Sequence, residues 1–337
     1  MSGQHTMRCT ILKLASLWLG LTALIVLLIN CGSAQPKVYR IGILSGLDFF
    51  ATTADGFKSE MAGLGYIEGK NISYDVQHTN SDERADRSIL KKFVDDKVDL
   101  IFVFPTDVAL YAKEITQGTN IPVLFANANI EGVDLVDSVR EPGGNITGVR
   151  YPGPDLTVKR FDILHQIVPG AKRMWLGYKA ASAVVPAQLE ALRPEAAAAG
   201  VSLMEAPANT AGDVQVNLQA HAQMHDVDAI LMIAEPLTVT PDVFAIIGKY
   251  AAERKIPVGG ALMMVGDYAS VFGVSTDNVA VGKQAAPLAD KILKGTPAGS
   301  IPVASAENYI QINYKVAQAL GLHLSEGLLG EANQIIR

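Results

Sequence analysis

The sequence predicts an α/β protein made of two doubly wound parallel-sheet lobes joined by a multi-strand hinge. Two patterns point there: short apolar runs alternate with amphipathic helical stretches, and three of those runs recur in the same order. A length of 337 residues is enough for two domains, each with its own core.

Residues 38–44 (VYRIGIL) form a near-continuous apolar run, as a strand covered on both faces requires. A helical pattern follows over 82–95, and then come the apolar runs 98–104 (VDLIFVF) and 121–125 (IPVLF). In the second half a strand is predicted at 174–178, a helix at 187–199, a strand at 229–233, a helix at 242–253 and a strand at 256–258. Thr240 is placed as the N-cap of the 242–253 helix, with Pro241 at its first position. The repetition links the halves. VDLIFVF at 98–104 is answered by VDAILMI at 227–233, IPV at 121–123 by IPV at 256–258, and RIGIL at 40–44 by RMWLG at 173–177. Three pairs in register imply two similar lobes in tandem. In an open parallel sheet, ligands bind beyond the carboxyl ends of the strands, where helix N-termini present free N–H groups. Two such edges facing each other make a cleft that a ligand can hold closed.

Composition excludes other classes. Hydrophobic residues are 49% and charged ones 18%, which suits a well-buried globular chain. The formal charge of −6, with no basic block, excludes nucleic acid as an expected partner. Cys9 and Cys31 both precede the predicted body, so neither a disulfide framework nor a cysteine metal site is expected there. Arg8 and Lys13, an apolar run over 14–29 and the small residues Gly32, Ser33 and Ala34 have the three parts of a secretory signal, expected to span 1–34. Three outcomes stay open: a lipobox-like exit at Cys31 (with Asn30 before it where a small residue is usual), cleavage after Ala34, or an uncleaved anchor.

The reacting groups of an enzyme are not found. There is no nucleophile elbow, no dinucleotide fingerprint and no phosphate loop, and no cofactor is implied. His221 and His225 stand four apart on a predicted helix without the acidic frame of a zinc site, and are read as surface residues. His165 lies in an apolar helical pattern and is read as packed.

Ligand-binding candidates come from the strand ends. In the first lobe these are Ser45, Asp48, Phe49 and Phe50 after the first strand, Thr106 and Asp107 after the 98–104 run, and Asn127 with Asn129 after the 121–125 run. In the second lobe they are Tyr178, Glu235 and the stretch 261–267. Hydroxyls and helix N-termini in the first lobe suit a carboxylate, and Glu235 is expected to accept an ammonium. Thr106 has a rival role as a helix cap. Phe49 and Phe50 are adjacent rings in a loop, so at least one is expected to line the cleft. Trp175 falls in a core strand, which favours an amino acid or a small carboxylate or amide over a sugar.

The stretch GYIEGKNI at 65–72 resembles a turn found in a large family of ABC-transporter substrate-binding proteins that includes tryptophan- and tyrosine-type binders. PGGNITG at 142–148, Leu164 with VPGA at 168–171, KILKG at 291–295, and Ala317 with LGL at 320–322 are similar to the same family. The matches run from about residue 38 to the end of the chain. The resemblance implies a type I periplasmic binding protein fold with three chain crossings, near Val149, Phe272 and Ala304. It places lobe 1 at 38–150 plus 273–304 and lobe 2 at 151–272 plus 305–337. It further implies an extracytoplasmic monomer that binds a small molecule and delivers it to an ABC permease. An extracytoplasmic sensory domain is the alternative.

Overall fold

The computed structural model describes residues 37–337 apart from 81, 223–225 and 265. The expected signal, Cys9, Cys31 and His225 lie outside the described residues. The chain divides into two units, one ending at Tyr39 and one of Arg40–Arg337. In the first, the Lys37 ammonium lies 4.6 Å from the Tyr39 ring centroid.

The chain runs through β1 (Tyr39–Ser45), α1 (Thr52–Gly63), β2 (Ile72–His78), α2 (Glu83–Asp95), β3 (Leu100–Phe104), α3 (Thr106–Ile115), β4 (Val123–Ala128) and β5 (Ile146–Arg150). It continues through α4 (Gly153–Ile167), β6 (Arg173–Lys179), α5 (Val185–Ala198), β7 (Ser202–Ala208), α6 (Ala211–Ala222), β8 (Ala229–Met232), α7 (Pro241–Arg254) and β9 (Val258–Gly260). It ends with β10 (Phe272–Ser275), α8 (Asn278–Leu293), β11 (Ala304–Ser305), β12 (Tyr309–Asn313), α9 (Tyr314–Ala319), α10 (Glu326–Glu331) and β13 (Gln334–Ile336).

The strands form two sheets, in the orders β11-β5-β4-β3-β1-β2 and β13-β12-β10-β9-β8-β6-β7. The repeated strings take matching places, β4-β3-β1-β2 in one sheet and β9-β8-β6-β7 in the other. Their polar ends explain why they repeat. Asp99 accepts from the Arg40 amide at 2.8 Å, and Asp228 accepts from the Arg173 amide at 2.9 Å. The Ile101 amide donates to the Pro122 carbonyl at 3.0 Å, and the Ile230 amide to the Pro257 carbonyl at 2.9 Å. Each Asp thus locks the start of one strand to its neighbour, and each Ile-Pro-Val enters its sheet in the same register. One pairing departs from the expected parallel arrangement: β10 and β12 are antiparallel, because the chain returns from the first lobe by the opposite route.

Both faces of each sheet are covered, as doubly wound sheets require. In the second lobe Met174 and Leu176 of β6 join one core with α4 and α5, while Trp175 points the other way into the core under α6 and α7. In the first lobe α1 and α8 approach to backbone contact. A Cβ on Gly282 would stand 2.0 Å from the Thr53 carbonyl oxygen, and one on Gly56 would stand 2.0 Å from that of Val279. Only glycine allows that separation.

The chain passes between the sheets three times: from β5 to α4, from β10 to α8, and from β11 to β12. The second passage follows Ser275 and not Phe272, because residues 272–275 pair with β9 and β12. Residues 273–275, expected in lobe 1, therefore belong to the second sheet.

Candidate functional site

The carboxyl ends of β1, β3 and β4 in one sheet, and of β6, β8 and β9 in the other, carry the polar residues that the sequence singles out. Ser45 is fully buried, and its hydroxyl donates to the Leu47 carbonyl at 2.7 Å, so it shapes the turn that follows. Asp48, Phe49 and Phe50 form a single 3-10 turn with Asp48 exposed. Phe49 is 51% exposed and meets Phe50 edge-on, with ring centroids 5.0 Å apart.

Thr106 is buried, but it is neither a cap nor free. The capping position of α3 is Pro105, and the Thr106 hydroxyl accepts from the Asn129 amide at 3.0 Å. Thr106 therefore fixes the loop after β4. Asp107, in the first turn of α3, keeps contact with solvent, yet burial raises its carboxyl above the ordinary range. Lys179, at the end of β6 in the other lobe, pulls in the opposite direction, and Glu83 adds to the rise. A carboxylate from one lobe is thus under the charge of a lysine from the other.

Asn127 is buried at a bulge in β4, where the register against β5 shifts between Ala126 and Ala128, and its φ is +49°. The bulge turns its side chain toward the second passage. Its Nδ2 donates to Thr53 Oγ1 at 3.1 Å and to Asn278 Oδ1 at 3.2 Å, and its Oδ1 accepts from the Thr276 hydroxyl at 3.0 Å. Both N–H groups of the amide donate and its oxygen accepts within the protein, so Asn127 braces the hinge.

In the second lobe Tyr178 and Glu235 have partners within the protein. The Tyr178 hydroxyl donates to Glu205 at 3.0 Å, and Glu205 is paired with Arg193 at 2.7 Å. Its ring packs against the core between the sheet and α5. Glu235 is 4% exposed and accepts from the Lys179 amide at 2.8 Å, the Leu237 amide at 2.9 Å, the Thr238 amide, and the Thr238 hydroxyl at 2.5 Å. A carboxylate offers about four lone-pair sites, and four are filled. Glu235 holds the loop after β8 and does not wait for an ammonium. In the same loop Thr240 sits at the capping position of α7, but its hydroxyl donates to the Leu237 carbonyl. In the stretch 261–267, Ala261 is buried and Leu262, Met263 and Met264 are half-buried, while residue 265 lies outside the described residues.

His165 stacks on Phe161 at 5.8 Å, as a packed residue does. His221 has an acidic partner that the sequence reading did not assign, since its Nδ1 lies 3.1 Å from Asp226. Among the described residues no cluster of His, Cys, Asp and Glu could hold a metal ion.

Several residues near the hinge were not legible beforehand. Lys179 follows directly on a repeated strand, so the repeat could have pointed to it. Thr276 and Asn278 carry no periodic signal. Arg160 is fully buried and donates to the Val274 carbonyl at 2.9 Å and to the Tyr151 hydroxyl, which ties the first two passages together. Thr157 donates to Gln188 at 2.7 Å, and Gln188 in turn donates to the Ala234 carbonyl at 2.8 Å, which continues that network to the β8 loop.

Residues 41–336 match the family described as ABC transporter substrate binding protein. A tyrosine-binding protein from Clostridioides difficile (strain R20291) is 28% identical over 269 residues, 79% of this chain and 76% of that one. A conserved domain protein from Vibrio cholerae has a solved structure that is 26% identical with a TM-score of 0.75, covering 89% of this chain and 100% of that one. An ABC domain from Streptococcus pneumonia in complex with L-Trp has a TM-score of 0.78 at 22% identity, with the same coverage, which is a likeness of fold. A ligand-free, open substrate-binding protein with adhesive properties from Clostridium difficile is 25% identical with a TM-score of 0.72, covering 89% and 99% of the two chains.

Proposed function

The chain belongs to the family of ABC transporter substrate-binding proteins, and on that premise we propose that it captures an amino acid with an aromatic side chain between its lobes and hands it to a membrane permease. The family is one of solute binders and not of enzymes. The observation that carries the reading is the pair of opposite charges drawn from the two lobes, Asp107 and Lys179. A zwitterion whose amine met Asp107 and whose carboxylate met Lys179 would bridge the lobes. Contacts to both lobes at once are what make the closed form the favoured one. The exposed Phe49 ring is suited to the ligand's side chain, and the tyrosine-binding relative supports that choice.

In this reading the protein works outside the cytoplasm, as its family does, after release from or anchoring by the 1–34 segment. It acts as a monomer, with closure both the capture step and the signal to the permease. The test is a thermal-shift screen of the purified body against amino acids, nucleosides and sugars. A ligand at one hundred times its dissociation constant stabilises the bound form by about 2.7 kcal/mol, so the cognate class is read directly. Shifts with tyrosine or tryptophan support the proposal, and a shift confined to sugars or nucleosides overturns the ligand class. Uptake of labelled tyrosine by cells lacking the protein tests the transport role. Unchanged uptake with intact binding favours a sensory role.

A further inference from the structure

The hydrogen bonds around Asn127 join three separate pieces of chain. They reach the end of β4 through Asn127 itself, the start of α1 through Thr53, and the passage from β10 into α8 through Thr276 and through Asn278, the first residue of α8. Thr53, Asn127 and Thr276 are all buried, so water is poorly placed to replace a broken link. One more bond leaves this cluster. Asn278 Nδ2 donates to the Phe49 carbonyl at 2.7 Å. The Phe49 ring is half in solvent, but its backbone is pegged to the residue at which the second passage ends.

Thr276 is the one member on the passage itself, and Phe49 is at the far end of the series. The lobes can rotate only if the passages change their backbone angles. A change at Thr276 moves the hydroxyl that Asn127 accepts. Asn127 cannot turn without disturbing its bond to Asn278, and Asn278 cannot move without disturbing the peg on Phe49. The tight contact of α8 with α1 at Gly282 leaves little slack in this series.

We propose that Asn278 is a positioning residue that couples the turn bearing Phe49 to the hinge. Closure of the lobes and presentation of the ring to the ligand are then one event. The importance of the ring rests on the proposed function, while the coupling itself does not.

Asn278→Asp keeps the shape of the side chain and the acceptor used by Asn127, and removes the donor to Phe49. Thr276→Val keeps the shape of Thr276 and removes the hydroxyl at the other end of the series. The first measurement is hydrogen exchange of the ligand-free protein at the Phe50 and Ala51 amides, which close the turn on Leu47 and Asp48. Both variants are expected to raise exchange there by about tenfold, although the Thr276 side chain makes no hydrogen bond to the turn itself. Exchange at the wild-type level in Thr276→Val overturns the coupling. The second measurement is calorimetric titration with L-tyrosine of Asn278→Asp, Phe49→Ala and the double variant. Each single change is expected to weaken binding about tenfold, and the double variant no more than either one. Independent, multiplying losses mean that Asn278 does not act through Phe49, and overturn the positioning role. If the wild-type protein binds no aromatic amino acid, the functional reading fails and the exchange measurement still decides the coupling.

Discussion

Replacing Glu235 with alanine separates a structural carboxylate from a ligand-binding one. In the folded chain this carboxylate accepts from three backbone amides, those of Lys179, Leu237 and Thr238, and from the Thr238 hydroxyl. A hydrogen bond to a charged group contributes about 1.5–3 kcal/mol, and an orphaned buried donor costs about 1–3 kcal/mol. Pro236 is exposed, so water entering through the loop recovers part of the loss, and about 2–4 kcal/mol of destabilisation is expected for Glu235→Ala. For a protein of this size that corresponds to a fall of about 5–10 °C in the melting temperature of the ligand-free protein. Affinity falls as well, because the Lys179 backbone loses its anchor. The assay is thermal denaturation followed by circular dichroism, with and without L-tyrosine. An unchanged melting temperature together with a tenfold loss of affinity would refute the reasoning and restore Glu235 as the ammonium acceptor.

Gly282→Ala forces a methyl to within 2.0 Å of the Thr53 carbonyl, and should destabilise the first lobe by about 1–3 kcal/mol in denaturant unfolding. A variant as stable as the wild type would mean that the two helices are not in backbone contact. Asp107→Asn should weaken L-tyrosine binding while stabilising the ligand-free protein, since burial holds this carboxyl above its ordinary range and its ionisation therefore opposes folding. The sign for binding follows from the same shift. As pH falls through that raised value the amine loses its partner, so affinity should decline at a higher pH than an ordinary carboxylate would impose, and Asp107→Asn should flatten the profile. Lys179→Met should weaken tyrosine about tenfold but tyramine, which lacks the carboxylate, very little; equal losses would remove Lys179 from the headgroup site. For export, Cys31→Ala should end membrane retention if that cysteine is lipidated, and should leave a soluble product unchanged if cleavage follows Ala34.

The architecture was legible because the features that build it are periodic. The runs 98–104 and 227–233 recur with an aspartate at the same place, and Asp99 and Asp228 fix strand starts in the same way in both lobes. The antiparallel β10–β12 pair was not legible, since a strand's direction is set by where the chain re-enters a sheet and leaves no mark on its residues. The site was read at the level of position. Spacing points to the strand ends but carries no information on side-chain direction. Ser45 and Glu235 turn inward because buried backbone donors and acceptors at those ends need partners, and Asn127 because the side chains of Thr53, Thr276 and Asn278 surround it. Phe49 stays outside because its neighbour Phe50 and the 3-10 turn leave it no route into the core. Lys179 was missed because a lysine after a strand looks like any solvated residue until the opposite lobe brings Asp107 near it.

Small-angle scattering of the purified body, recorded without ligand and with saturating L-tyrosine, tests lobe closure on an amino acid most directly. The account predicts a smaller radius of gyration on binding, because Asp107 and Lys179 come from different lobes and a ligand held by both draws them together. Calorimetrically proven binding with no compaction would contradict it, and would leave a binder whose pocket lies within one lobe.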